Sequence, residues 1–131
     1  MSANTIPVHP LTPNIGKCSL LTANTAMDGT GSLQTLFTAG AAGARLDQIY
    51  VAFTGAATAT DVVLFLYDGT NTYAWRDFTI ATLASLSATA ANNPTVPILI
   101  NAFIPANWVV KATNRTTVAN NINLIAEGGN Y

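Results

Sequence analysis

Residues 61–80 read DVVLFLYDGTNTYAWRDFTI, two runs rich in aliphatic, β-branched and aromatic side chains separated by Asp68-Gly69-Thr70-Asn71. Such runs favour strands, and an Asp-Gly pair supplies the positive φ that a tight turn needs. Residues 61–67 and 72–80 are therefore expected to pair as a β-hairpin. Val62 to Leu66 are apolar at every position, so alternation cannot leave one side of that strand wet. The strand is expected to be central, covered by the core on one face and by a loop or another subunit on the other.

The same pattern extends outward from this hairpin. Short runs rich in Val, Ile, Thr and aromatics, bounded by Gly, Asn, Asp and Pro, predict further strands at residues 17–23, 32–38, 44–54, 96–103, 108–113 and 121–126. In the run at 44–54, Ile49, Val51 and Phe53 alternate onto one face, with Asp47 at the end of that row. In the last run Ile122, Leu124 and Ala126 oppose Asn121 and Asn123. Residues 81–94 carry Leu83 and Leu86 at helical spacing, but their Ser, Thr and Asn92-Asn93-Pro94 favour a long loop with at most one helical turn. About eight short strands and no convincing helix predict an all-β fold, a single jelly-roll-like β-sandwich.

Residues 1–16 read differently and are expected to form an extended arm, with the sandwich spanning 17–131. Pro7, Pro10 and Pro13 recur at three-residue spacing, and each fixes φ and pushes its predecessor to an extended conformation. Ile6, Val8, Leu11 and Ile15 give the arm apolar handles. Ile6, Pro7, Val8, His9, Pro10, Leu11, Pro13 and Ile15 are thus the expected contact set, either folded over their own domain or strapped onto a neighbour.

The surface is unusual. Only 8% of the 131 residues are charged while 50% are hydrophobic, and the net charge is −1. Soluble domains usually carry about 25% charged residues. Thr, Asn, Ala and Ser must supply most of the exterior, and such a surface is easily desolvated against other protein. Five scattered cations cannot form the basic stripe that nucleic acid requires. No apolar run is long enough to span a bilayer, and residues 1–10 lack the basic and apolar regions of a secretory signal.

Chemistry is poorly supplied. His9 is the single imidazole and lies in the arm, a poor platform for a catalytic base. With one His and one Cys, no ordinary zinc site can be built, and Cys18 is expected to be a buried, inert thiol. Asp61, Asp68 and Asp77 cluster near the central hairpin, but Asp at strand ends commonly serves turns. Asp28-Gly29-Thr30-Gly31 and Asp68-Gly69-Thr70-Asn71 do not follow a calcium-loop spacing. No catalytic residue, cofactor or metal is expected, and the chain reads as a non-enzyme. Tyr73 and Trp75, two apart on one run, and Trp108 could form an aromatic contact surface. Such rings serve a core, a subunit contact or a sugar-stacking platform.

Three segments carry a resemblance. They are Leu21-Thr22-Ala23-Asn24-Thr25-Ala26-Met27-Asp28-Gly29-Thr30-Gly31 leading to Leu36-Phe37-Thr38-Ala39-Gly40, then Leu64-Phe65-Leu66-Tyr67-Asp68-Gly69-Thr70-Asn71, and the ending Asn123 to Tyr131. Together they resemble small tailed-bacteriophage virion proteins often found beside major capsid proteins, and most of all capsid decoration, or cement, proteins. The resemblance implies β-rich subunits, commonly trimers, that bind the major capsid protein on the capsid exterior after synthesis in the host cytoplasm. It implies no cofactor and no catalytic set. A tail or head-fibre module recognising host glycans through Tyr73, Trp75 or Trp108 is the alternative expectation.

Overall fold

The computed structural model describes residues 9–82 and 96–131. Eight strands follow in order: β1 (Thr12–Leu20), β2 (Gln34–Thr38), β3 (Ala44–Phe53), β4 (Thr60–Tyr67), β5 (Thr72–Ile80), β6 (Val96–Ile104), β7 (Val109–Asn114) and β8 (Ile122–Asn130). They form two four-stranded sheets, β1-β8-β3-β6 and β2-β7-β4-β5, with every pairing antiparallel. The pairs β4 with β5, β3 with β6, β2 with β7 and β1 with β8 are nested, as if one long hairpin were rolled up. Its tip is the 68–71 turn. This is the two-layer jelly roll expected from the strand count.

Alternation drives the layering. Leu46, Ile49, Val51, Leu124 and Ala126 of one sheet meet Leu36, Val62, Leu64, Val110 and Ala112 of the other in a single buried cluster. Bulges correct the phase where the sequence alone misleads. In β3 the register shifts between Leu46 and Gln48, so Ala44 and Leu46 face the core together with Ile49, Val51 and Phe53. Asp47, expected to end that apolar row, is the extra residue and pairs with Arg45 at 2.8 Å on the surface.

The tip also departs from the simplest expectation. Only Gly69 takes a positive φ, +99°, while the Asp68 carboxylate accepts the N–H groups of Thr70 and Asn71 at 2.8 and 2.7 Å. The turn is thus a four-residue loop held by an Asp side chain rather than a two-residue turn with both central residues at positive φ.

β1 begins at Thr12, inside the expected arm, so residues 12–16 belong to the sheet. Pro13 is tolerated there because β1 pairs with β8 alone and is an edge strand. Residues 1–8 of the arm, and the loop expected within 83–95, lie outside the described residues. Among the described residues no helix is long and apolar enough to cross a membrane.

The connection from β1 to β2 crosses the outer face of the second sheet. Asn24 N–H donates to the Asn114 carbonyl at 2.8 Å, and further on Gly29 packs against Thr72. The buried Asn24 side chain holds the segment's shape, donating to the Thr30 and Ser32 carbonyls and accepting from Ala26 N–H. Val63 and Phe65 point to this side of β4, outside the central cluster, and are 2% and 0% exposed. The second cover expected for Val62 to Leu66 is therefore the chain's own β1–β2 segment.

Candidate functional site

Some of the polar groups considered for chemistry take part in local contacts, and others lie exposed. Asp61 accepts the Thr79 hydroxyl at 2.7 Å across β4 and β5. Asp77 lies exposed on β5 opposite Val63. Arg76 stacks over the Trp75 ring at 4.8 Å and Lys111 over Tyr67 at 4.2 Å. His9 is exposed. Among the described residues no cluster of His, Cys, Asp or Glu could hold a metal ion. Cys18 is half-buried against the core, and burial pushes its thiol up to about 12, so it carries almost no thiolate at neutral pH.

Two carboxylates titrate below their ordinary value of 3.8. Asp28 is held down by the Thr30 hydroxyl and then by Thr30 N–H; Asp68 is held down by Asn71 N–H and then by Thr70 N–H. Because their folded values are lowered, their stabilisation is whole above 3.8 and is lost as pH falls through the folded values. Asp68→Asn should therefore flatten the fall of Tm below pH 4 while changing Tm at pH 7 only slightly. A melting series by circular dichroism checks this; an unchanged acid slope would place the titration elsewhere.

The expected aromatic surface is not brought together. In β5 the register skips Trp75, since Leu64 pairs with Arg76 and Phe65 with Ala74. That bulge breaks the two-residue alternation linking Tyr73 to Trp75. Trp75 and Trp108 both pack against the core cluster, whereas Tyr73 is 52% exposed. Of the expected arm contacts, Leu11 and Ile15 stand 83% and 67% exposed, and Pro10 and Pro13 are exposed too. Leu11 is tethered through its N–H to the Asn130 carbonyl at 2.7 Å. Ile6, Pro7 and Val8 lie outside the described residues.

The larger feature is the outer face of the β1-β8-β3-β6 sheet. Register fixes three cross-strand rows on it: Pro13–Gly129–Arg45–Phe103, Ile15–Glu127–Gln48–Leu99 and Lys17–Ile125–Tyr50–Pro97. Among the described residues, four of the eight large apolar side chains left exposed are on this face: Ile15, Leu99, Phe103 and Ile125. It also carries four charged residues, Lys17, Arg45, Asp47 and Glu127. Arg45 and Asp47 pair with each other, and Glu127 accepts from the Gln48 amide at 3.1 Å. No segment comparable to residues 21–33 is seen over this sheet among the described residues.

Sequence reasoning missed Leu99, Phe103 and Tyr50 as surface residues. The available signal was that residues 96–100 are apolar at every position, as in β4, so one face had to stay apolar on the outside. No family model, curated protein or solved structure matches this chain.

Proposed function

We propose that this chain is a structural virion protein that decorates and stabilises a phage capsid, binding the major capsid protein and sibling subunits on the capsid exterior. The observation that carries the reading is the outer face of one sheet, which holds half of the large apolar side chains left exposed among the described residues of a chain that is only 8% charged. Contiguous exposed apolar surface of this kind marks protein contacts. A repeating shell suits it, because many weak contacts sum to high avidity without new chemistry. The phage setting rests on the resemblance of the three segments. A glycan-reading role would use a platform of exposed rings, and Trp75 and Trp108 instead pack on the core.

The arm supplies the capsid contact in this reading. The cut must stop short of β1, so residues 1–8 are removed and Leu11 with its bond to Asn130 is kept. Shells purified without this protein should bind the full chain on co-sedimentation. The truncated chain should bind at least tenfold more weakly while keeping its Tm, a loss of about 1.4 kcal/mol. Full-affinity binding by the truncated chain would remove the arm from the contact. Failure of the full chain to bind any shell, with selective retention on a glycan array, would favour the fibre reading.

A further inference from the structure

We infer that the outer face of the β1-β8-β3-β6 sheet is the contact between two copies of this chain, packed face to face about a two-fold axis parallel to the strands. The inference deepens the proposed structural role by naming the surface between siblings, and it is tested in solution without a capsid.

The pattern of the face is self-complementary. A two-fold axis over the seam between β8 and β3 exchanges β1 with β6 and β8 with β3. Ile15 of one copy then lies over Leu99 of the other, since the two share a row. In the neighbouring rows Pro13 faces Phe103, and Ile125 faces Tyr50. Apolar groups thus meet apolar groups in three successive rows.

Charge permits the same pairing. Arg45 is neutralised by Asp47 in its own copy, at 2.8 Å, and Glu127 is already hydrogen-bonded to Gln48. Lys17 is on the edge strand, where its long side chain can reach water at the rim. Glu127, which has no ionic partner in its own copy among the described residues, stands beside the axis with its Gln48 hydrogen bond and with Arg45 in the adjoining row, and two chains of net charge −1 repel weakly.

The area is sufficient. Four strands about 4.8 Å apart and nine residues long at about 3.3 Å each make a flat face of roughly 550 Å², so a pair covers about 1,100 Å², above the roughly 1,000 Å² of a specific interface. Side-chain relief adds to this. Sheets stacked in this way pack aligned, with a rotation of about 30° set by their twist. An isologous face closes at two copies, unlike the three-subunit assembly that the resemblance implies.

Sedimentation of the full chain alone should give a dimer at micromolar concentration. Leu99→Glu, at a side chain 68% exposed, should weaken dimerisation at least tenfold with an unchanged β spectrum and Tm. The pair Ile15→Cys with Leu99→Cys supplies a positive readout. Within one copy these positions are three strand spacings apart, about 14 Å, too far for a disulfide. Facing sheets stand about 10 Å apart, so a bifunctional thiol reagent spanning about 5 Å should yield a covalent dimer from the double variant and little from either single one. A wild-type chain that stays monomeric, a trimer indifferent to Leu99→Glu, or no cross-link in the double variant would each overturn the inference. A dimer that fails to bind shells would instead count against the capsid role and leave this interface standing.

Discussion

Phe65→Ala is expected to cost about 3–5 kcal/mol of folding stability, the usual range for deleting a fully buried aromatic ring. For a chain of this size that is a fall in Tm of roughly 10–15 °C. The size is informative because Phe65 is not in the central cluster. It pairs with Lys111 on the outward side of β4, yet it is 0% exposed. The β1–β2 segment, fixed by Asn24 at one end and by Gly29 against Thr72 further on, covers that side. The loss should therefore be independent of protein concentration. If Phe65 were covered only by a sibling subunit, the variant would alter assembly and leave the monomer's Tm nearly unchanged. A concentration series of thermal melts separates the two, and a loss below about 1 kcal/mol would mean that the segment does not seal this face.

What was legible in the sequence was local. Strand positions follow from composition and turn residues, and residues 72–80 match β5 at both ends while the other strands shift by a few residues. What was not legible depends on a partner strand. The bulges at Asp47 and Trp75 are set by register with β8 and β4, so a two-residue period placed Asp47 in the core row and joined Tyr73 to Trp75. The strand character of residues 12–16 was hidden by Pro13, which an interior strand would reject and an edge strand accepts. The candidate contact face was missed for a related reason. Leu99 and Phe103 are apolar like their core-facing neighbours Ile98 and Ile100, and only pairing shows which side each occupies.

The two outer faces explain one another. Both sheets carry more apolar side chains than one core can bury, because β4 and β6 are apolar on both sides. The chain resolves the surplus on the β2-β7-β4-β5 sheet internally, through residues 21–33 and their Asn24 hydrogen bonds. The surplus on the other sheet stays exposed among the described residues, at Ile15, Leu99, Phe103 and Ile125.

Gly16→Ala is expected to be the most damaging single-methyl change in the chain. A Cβ at this position would collide with the Leu36 carbonyl and stand 2.9 Å from the Phe37 Cα. Those neighbours are backbone, so no rotamer can move them aside. β1 and β2 are the edge strands of different sheets, and here they close one side of the sandwich. To admit the methyl they must separate, which strains the bond from the Asn14 amide to the Thr38 carbonyl, 2.8 Å, and opens Leu36 and Phe37, each 1% exposed. Overpacking of this kind costs about 3 kcal/mol at the upper end of its usual range, or about 10 °C in Tm. Gly69→Ala is the informative comparison. Gly69 has the left-handed φ of +99°, but a methyl there would meet nothing within 4 Å, so only backbone strain of about 1–2 kcal/mol is expected. Thermal melts of the two variants should rank Gly16→Ala well below Gly69→Ala. The reverse order would show that β1 and β2 can part at little cost, and that the sandwich is closed elsewhere.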